Sequence, residues 1–282
     1  MSNTIISYQN RIDAATFGAY GSWSTALPLT NIQNRQISKV ARTTNNLNSS
    51  TRLRFSTDIS RIISTVGIIA HNLTSSAKWR YRVYSDSAYT SLEYDSGQME
   101  VWPQSPYGTY EWEDVHFWDL TVTDEEINYY TKTLIFSVPV VVSEQYYQLE
   151  FFESVSSYVE IGRLFFGSKY QPVINMSLGA SIGYESPTLI DTSMSGSEFF
   201  DRRDSYRVAR FTLDNLTYAE SILNNDIMKI SGTDLEVLYI WDDSDSLNLQ
   251  RRAFLGRLRA LSPISQPYNL RYQTSYEIKE LL

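Results

Sequence analysis

The chain has 282 residues, of which 42% are hydrophobic and 14% aromatic, and its formal net charge is −8. This length and apolar content allow two domains with packed cores or one large β domain. The acidic balance argues against a general nucleic-acid binder, which needs a basic face. The sequence contains no cysteine, which excludes disulfides, thiolate metal sites and thiol catalysis.

The sequence shows no pattern typical of a secretion signal or a membrane span. The amino terminus lacks a basic region followed by a long apolar run, so we expect no secretion signal. The longest apolar run, Val138–Val142, contains a proline and is far too short to cross a bilayer. We therefore expect no membrane span.

The first clear pattern along the chain is a pair of strands. The apolar run Val66–Ala70 is typical of a strand buried on both faces. After a short polar turn, the second strand places Trp79, Tyr81 and Val83 on one face and basic residues on the other. A period of two predicts a half-buried strand of a β-sandwich.

More strands follow a turn-rich region at 85–110, which we interpret as a long loop. The patterns predict strands at Lys132–Val142, Tyr146–Phe152 and Tyr158–Gly167, the last with a β-bulge at Gly162. No convincing helix precedes residue 175. This rhythm of strands and loops favours a two-sheet sandwich.

The pattern changes after Pro172. Residues 176–200 are rich in Gly and Ser and are interpreted as an exposed connector or extended arm. A strand, Tyr206–Leu213, precedes a helix that begins with a capping box of Thr217 and Glu220. Apolar residues then recur at helical spacing, and a glycine ends the helix. These apolar residues are Ala219, Ile222, Leu223, Ile227 and Ile230.

The predicted fold class is mainly β. A jelly-roll β-sandwich is expected at 15–175, followed by the arm at 176–200 and by a smaller α+β domain at 201–282. That domain places one helix against an antiparallel sheet, with further strands at Leu235–Trp241, Arg252–Leu261 and about 272–281. The N-terminal strand, within residues 1–14, is expected to join this second domain.

No catalytic residue is predicted. The chain has two histidines and no Gly-x-Ser-x-Gly elbow or phosphate-binding glycine loop. We interpret His71, at a strand end, as a structural histidine that hydrogen-bonds a loop, and His116 as packed among aromatic residues. The sequence therefore predicts a protein that is not an enzyme and has no cofactor.

No metal ligand is predicted either, although one acidic turn has to be considered. Asp242, Asp243 and Asp245 offer oxygen ligands for Ca²⁺. The turn lacks the glycine and the final glutamate that define an EF-hand loop. A solvated hairpin turn is the simpler interpretation.

A group of aromatic residues in the long loop offers a surface for sugar stacking. The candidates are Trp102, Tyr107, Trp112 and Trp118. Carboxylates lie among them, as in glycosidases, namely Glu111, Glu113, Asp114 and Asp119. A solvated acidic loop, a glycosidase site and a non-catalytic sugar platform all remain open at this stage.

A basic cluster stands out in the otherwise acidic chain. It consists of Arg202, Arg203, Arg207 and Arg210. It is either a solvated strand face or a subunit contact that meets aspartates of a neighbour, including Asp242, Asp243 and Asp245. Complementary charge on two sides of a protomer is what a ring-forming protein requires.

Several segments resemble a known family. The stretches Ile68–Leu73 and Trp79–Asp86 resemble a jelly-roll module in structural proteins of tailed bacteriophages, which is similar to discoidin-type or galactose-binding-like sandwiches. The stretch Tyr158–Gly167 looks like its closing strand. Matching pieces in the second domain are Phe200–Arg203, Phe211–Asp214, Asn248–Leu258 and Tyr276–Leu282.

This resemblance implies a structural role in the virion. Such proteins form the tail tip or baseplate, and the two-part plan looks like distal-tail or hub proteins. The resemblance implies a homo-oligomeric ring of six or three copies, with the sandwich outside. Implied neighbours are the tail tube, the hub and the tape-measure protein.

The resemblance also implies a location and leaves an alternative open. The protein would be assembled in the bacterial host cytoplasm and would reside in the virion, with no specific nucleic-acid binding. The alternative is a carbohydrate-binding receptor-recognition module of a phage tail, whose sandwich contacts a host surface glycan.

Overall fold

A computed structural model describes residues 3–103, 110–114, 116–118, 120, 122, 127–128, 132–245 and 248–282. The strands of the first part of the chain are β1 (Ile5–Tyr8), β2 (Thr16–Phe17), β3 (Ala41–Arg42), β4 (Arg52–Ile62), β5 (Thr65–His71), β6 (Lys78–Tyr84), β7 (Leu92–Asp95), β8 (Met99–Glu100), β9 (Thr133–Ser137), β10 (Ser143–Phe152) and β11 (Glu160–Tyr170). Short 3-10 helices lie at Arg11–Ala14 and Leu29–Gln33.

The remaining elements are β12 (Ser181–Glu185), β13 (Leu189–Thr192), β14 (Glu198–Asp201), β15 (Tyr206–Leu216), α1 (Tyr218–Ser231), β16 (Glu236–Ile240), α2 (Leu249–Arg252), β17 (Ala253–Leu258), β18 (Ser265–Tyr268) and β19 (Arg271–Glu280). None of the described helices is long and apolar enough to cross a membrane. Strands dominate, with a single long helix among the described residues, which confirms the predicted mainly β fold class.

The chain divides into two compact units. The first comprises the described residues of 9–169 and 243–253, and the second those of 3–8, 170–242 and 254–282. The predicted boundary after residue 175 falls inside the second unit. The predicted N-terminal segment, 1–14, is divided between the two units.

The first unit is a sandwich of two antiparallel sheets. One sheet has the order β2-β4-β10-β6-β7, with β8 also paired to β6, and the other contains β11-β5-β9, with β3 paired to β11. In the first sheet, Leu149 lies opposite both Tyr81 and Leu53. All three side chains are buried, because alternate residues of each strand point to the same face.

The alternation predicted for β6 is confirmed. Trp79, Tyr81 and Val83 are buried in the sandwich core, whereas the intervening basic residues are exposed or half-buried. The core joins the two sheets through aromatic rings. The ring centroid of Phe55 lies 4.8 Å from that of Phe166 in the opposite sheet, a distance typical of an edge-to-face pair.

Strand β9 is shorter than predicted. The β-branched run predicts a strand to Val142, but β9 ends at Ser137. The nitrogen of Val138 still donates to the carbonyl of Ser64. The next residue is Pro139, which has no N–H with which to continue the ladder.

Gly162 is required for close packing rather than for a bulge. The register of β11 with β5 is unbroken on either side of Gly162, so the predicted bulge is absent. A Cβ at this position would lie 2.5 Å from the carbonyl oxygen of Ile37 and 2.9 Å from the Cβ of Ala70. Ala70 itself has a φ of 54°, so this crossing leaves no room for a larger residue.

We expect the substitution Gly162→Ala to lower the free energy of unfolding by about 1–3 kcal/mol, because the backbone of Ile37 must shift. Urea denaturation measures this change. The matched control is Gly183→Ala in β12, where an added Cβ meets nothing within 4 Å. We expect no loss of stability in the control, and equal losses in both variants would contradict the packing argument.

The second unit consists of an antiparallel sheet and helix α1. The strand order is β12-β15-β19-β17-β16-β1, with β18 paired to β19. Ile6 of β1 lies opposite Tyr239 of β16. The capping box predicted at the start of α1 is confirmed, since Thr217 and Glu220 each accept a hydrogen bond from the other's backbone nitrogen.

Helix α1 faces the sheet with polar as well as apolar residues. Ile227 and Met228 are buried, and so is Asn224, which donates to the hydroxyl of Tyr170 at 2.8 Å and accepts from that of Tyr276 at 2.6 Å. Burial raises the pKa of Tyr170 to about 12, so its hydroxyl keeps its proton.

The exposed side of α1 carries four large apolar residues among its polar ones. Tyr218, Ile222, Leu223 and Ile230 are exposed there. The helical spacing of these residues, which normally indicates a core-facing stripe, therefore marks the outer surface of this unit.

Candidate functional site

Three aromatic side chains gather in the long loop of the first unit. The rings of Trp112, Phe117 and Trp118 pack edge to face, with centroid distances of 5.2, 5.4 and 5.1 Å. Trp112 is 69% exposed and Trp118 is 76% exposed. We call these three residues the aromatic cluster. Because the rings support one another, they present flat apolar surface to solvent at a defined orientation.

The other predicted stacking residues do not join this cluster. Trp102 is 3% exposed, and its indole nitrogen donates to the carbonyl of Leu73 at 3.1 Å. Its ring is therefore part of the sandwich interior and is not available to a sugar. Tyr107 lies outside the described residues, as does Asp119.

The carboxylates beside the aromatic cluster are exposed. Glu111, Glu113 and Asp114 all lie in solvent. An oxygen of Asp114 accepts from the backbone nitrogen of His116 at 3.0 Å, and the nitrogen of Phe117 donates to the carbonyl of Asp114 at 3.1 Å. Asp114 thus fixes the turn that carries the aromatic cluster. His116 is half-buried and its ring lies 6.0 Å from that of Tyr110.

The sequence around the aromatic cluster has a one-sided charge. From residue 83 to residue 131 it contains eleven acidic residues and no Lys or Arg, while the whole chain has a net charge of −8. The rest of the chain is therefore slightly basic. A ligand of the aromatic cluster therefore meets exposed carboxylates at the positions next to Trp112 in sequence.

His71 has the structural role predicted for it. Its Nδ1 accepts a hydrogen bond from the backbone nitrogen of Leu73 at 3.3 Å, and its ring lies 5.6 Å from that of Trp102. The imidazole is buried. Burial, and secondarily the charge of Lys132, lowers its pKa to about 3. The imidazole of His71 is therefore neutral and is not accessible to a substrate.

The predicted basic cluster is divided by the structure. Arg207 is buried and pairs with Glu280, and each side chain is only 3% exposed. It is therefore withdrawn from any subunit contact, because its partner lies within its own unit. Arg210 is exposed and pairs with Glu185 and Glu277.

The flanking arginines remain at the surface. Arg202 is exposed, and Arg203 pairs with Asp201 at 3.0 Å. These two side chains, together with Arg210, are the members of the predicted cluster that a second molecule can reach.

The acidic turn is not arranged as a metal site. Asp242 is buried, Asp243 is half-buried and Asp245 accepts hydrogen bonds from the side chain of Asn248 at 3.0 and 3.1 Å. Within the described ranges, no three His, Asp or Glu side chains are grouped closely enough to hold a metal ion. The burial of Asp242 also removes it from the predicted subunit contacts.

The predicted arm contains three strands that sequence reasoning missed, β12, β13 and β14. Strands β13 and β14 form a hairpin in which all eight residues are exposed. Ile190 lies opposite Phe200, and Asp191 lies opposite Phe199. Phe199 is 64% exposed and Phe200 is 61% exposed. We call residues 189–201 the exposed hairpin.

Both faces of the exposed hairpin carry apolar side chains. Paired residues share a face of a sheet, so Ile190 and Phe200 lie on one face and Phe199 on the other. Two apolar dipeptides on either side of the turn at Gly196 are the sequence signal that could have identified it. The earlier residues of the predicted arm form β12, which pairs with β15.

No protein-family model and no curated protein matches this sequence. Among solved structures, the chain is similar to a family 32 carbohydrate-binding module from a family 31 glycoside hydrolase of Clostridium perfringens, at 9% identity over 57% of this chain and 99% of that chain, with a TM-score of 0.37. It is also similar to the family 32 module of C. perfringens NanJ, solved with galactose. That match has 11% identity over 59% of this chain and 99% of the module, with a TM-score of 0.37. A truncated AlyQ with such a module and alginate lyase domains matches at 12% identity over 86% of this chain and 55% of that protein, with a TM-score of 0.33.

Proposed function

We propose that this protein is a non-enzymatic carbohydrate-binding protein. The observation that carries the proposal is the aromatic cluster on the loop of the β-sandwich. Trp112 and Trp118 expose large ring faces, and exposing so much apolar surface is unfavourable unless a ligand covers it. Sugar rings have apolar C–H faces that stack on indoles, while their hydroxyls remain solvated.

The surroundings of the aromatic cluster favour binding over catalysis. Glycoside hydrolysis needs one carboxyl group that remains protonated and a second one at a fixed separation across the bond. Glu111, Glu113 and Asp114 are exposed on a single turn, where water solvates each of them. We therefore assign the carboxylates to recognition and to the geometry of the turn.

Binding of oligosaccharides to the Trp112→Ala and Trp118→Ala variants tests this proposal. We expect each substitution to weaken binding about thirtyfold, which corresponds to about 2 kcal/mol for a central aromatic contact. A glycan array identifies the ligand, and isothermal titration calorimetry measures the affinity. Because both side chains are exposed, we expect the thermal stability to remain unchanged.

The matched control is the double variant Phe199→Ala/Phe200→Ala, which removes two exposed aromatic rings from the other unit. It should bind sugar like the unsubstituted protein. Equal weakening in the control, or no oligosaccharide bound by the unsubstituted protein, would contradict the assignment to the aromatic cluster.

A second function is favoured by the exposed hairpin. We propose that the protein also assembles into a homo-oligomer as a structural component of a tailed-phage virion. An isolated two-stranded hairpin is marginally stable in water, and apolar residues on both of its faces gain stability by packing against another chain. The phage assignment, the ring and the location in the tail rest on the sequence resemblance alone.

We expect the substitution of Phe199 and Phe200 by serine to raise the dissociation constant of the oligomer about a thousandfold, at about 2 kcal/mol per buried aromatic side chain. Sedimentation velocity measures the oligomeric state, and negative-stain microscopy shows whether a ring forms. Point substitutions are preferable to removal of residues 176–200, because that deletion also takes β12 from its sheet.

The double variant Trp112→Ala/Trp118→Ala is the control for assembly and should form the same oligomer as the unsubstituted protein. Unchanged association of the serine variant would refute the role of the exposed hairpin. A protein that stays monomeric at every concentration would refute the assembly proposal itself.

A further inference from the structure

We infer that the aromatic cluster prefers cationic amino sugars, such as polymers with free glucosamine amines, over neutral or anionic sugars. The inference rests on the proposed carbohydrate-binding function and adds the chemical class of the ligand. It follows from the charge that surrounds an exposed apolar surface.

The aromatic cluster supplies the contact area of this site. The centroids of Trp112 and Trp118 are 5.4 Å apart and their planes meet at 69°. The rings leave no gap between them, so a ligand lies against their outer faces. Such faces accept the C–H groups of any sugar and attract a nearby cation through the ring quadrupole.

The charge next to the aromatic cluster selects among those sugars. Glu111, Glu113 and Asp114 flank Trp112 in sequence, all three are exposed, and within the described residues none of them forms an ion pair. Two other acids of the same stretch are neutralised. Asp95 pairs with Arg80, and Glu100 pairs with Lys78 at 2.9 Å.

The stretch 83–131 contains no Lys or Arg of its own, and the basic residues that neutralise Asp95 and Glu100 lie outside it. The carboxylates of Glu111, Glu113 and Asp114 are therefore expected to repel uronic or sialic acids. A protonated amine is instead attracted by each carboxylate that it approaches. At the dielectric constant of water, one close contact of this kind raises the affinity roughly fivefold. With three carboxylates available, we expect a preference of at least about tenfold.

The test compares two oligosaccharides of equal length, one with free amines (chitosan) and one fully N-acetylated (chitin), by isothermal titration calorimetry with the full chain. The pH is mildly acidic, so that the amines of the free-amine ligand are protonated. We expect the free-amine ligand to bind at least about tenfold more tightly. Added salt should reduce this difference, because it screens exposed charges.

Two charge variants locate the effect. The triple variant Glu111→Gln/Glu113→Gln/Asp114→Asn keeps the aromatic rings and should bind both ligands equally. The variant Asp191→Asn/Glu198→Gln/Asp201→Asn removes the same amount of charge from the exposed hairpin and should keep the preference. Loss of the preference in both variants would show an effect of net charge only and would overturn the inference.

Other outcomes separate this inference from the function it depends on. Equal binding of the two ligands by the unsubstituted protein overturns the inference and leaves the carbohydrate-binding function intact. Binding of neither these nor any other oligosaccharide overturns both. The inference fails if Trp112→Ala/Trp118→Ala binds the free-amine ligand as tightly as the unsubstituted protein does. It also fails if a polylysine peptide competes with the free-amine ligand equally well in both proteins, because the site is then an acidic surface.

Discussion

Replacement of Glu280 by glutamine is expected to lower the free energy of unfolding by about 3–5 kcal/mol. Both oxygens of Glu280 accept hydrogen bonds from Arg207, including 2.8 Å from its backbone nitrogen and 2.9 Å from Nε. The guanidinium also lies over the ring of Phe254, 5.1 Å from its centroid. The variant retains the shape of the side chain but removes the negative charge that pairs with the buried guanidinium.

The same strand provides a control for this prediction. Glu277 of β19 pairs with Arg210 and Arg259, but all three side chains are substantially exposed. Glu277→Gln is therefore expected to cost no more than about 1 kcal/mol. Urea denaturation of both variants measures the difference.

A double replacement separates burial from pairing. Because Arg207→Met/Glu280→Leu removes both charges together, it should be less destabilising than Glu280→Gln alone. Similar stabilities for Glu280→Gln and Glu277→Gln would show that the buried pair is not a major determinant of the fold.

Acidification is expected to destabilise the protein through His71. Its pKa is about 3 in the folded chain and about 6.5 in an unfolded one. Since the folded state binds the proton less readily, the full contribution to stability is present above about pH 6.5 and is lost as the pH falls toward about 3. The slope between these limits is about 1.4 kcal/mol per pH unit.

The upper half of this range isolates the histidine from the carboxylates. Asp58, Asp86 and Asp95 have pKa values lowered by hydrogen bonds or ion pairs. Their contributions to the stability of the folded protein are therefore lost only in stronger acid. Between about pH 6.5 and 4.5 the expected loss from His71 is therefore about 2 kcal/mol. Denaturant midpoints across this interval measure it.

Asparagine at position 71 can accept the hydrogen bond from Leu73 but cannot titrate. His71→Asn should therefore be less stable than the parent protein at neutral pH, yet nearly independent of pH over this interval. His116→Asn removes the only other imidazole and should keep the parent slope. A slope that persists in His71→Asn would place the titrating group elsewhere.

Local sequence patterns predicted the elements that depend on neighbours in sequence. The alternation of Trp79, Tyr81 and Val83 identified both the strand and its buried face, because period two fixes which side chains share a side. Thr217 and Glu220 identified the start of α1, because a capping box is a contact between residues three positions apart.

Contacts between distant residues were beyond such patterns. The outer face of α1 carries Ile222 and Ile230, while Asn224 is buried between the hydroxyls of Tyr170 and Tyr276. No helical periodicity identifies two tyrosines more than fifty residues away as partners. The helix was therefore predicted correctly, but its spacing did not show that Ile227 is the one buried member of the periodic set.

The candidate site shows the same division. Trp102 and Trp112 belong to the same predicted loop region, and the sequence does not distinguish them. Trp102 is buried because its indole nitrogen reaches the carbonyl of Leu73, a residue distant in sequence. Arg207 and Arg210 are likewise equivalent by composition. Arg207 differs from Arg210 because it pairs in the interior with Glu280, which lies near the end of the chain and is not a neighbour in sequence.

The exposed hairpin has a consequence for handling the protein in solution. Two unpaired strand edges with Phe199 and Phe200 beside them are a template for indefinite edge-to-edge stacking as well as for orderly assembly. The net charge of −8 keeps molecules apart at neutral pH through mutual repulsion. This repulsion weakens as the pH approaches the isoelectric point of about 4.9, so association through the hairpin is expected to increase there, and purification is best kept near neutrality.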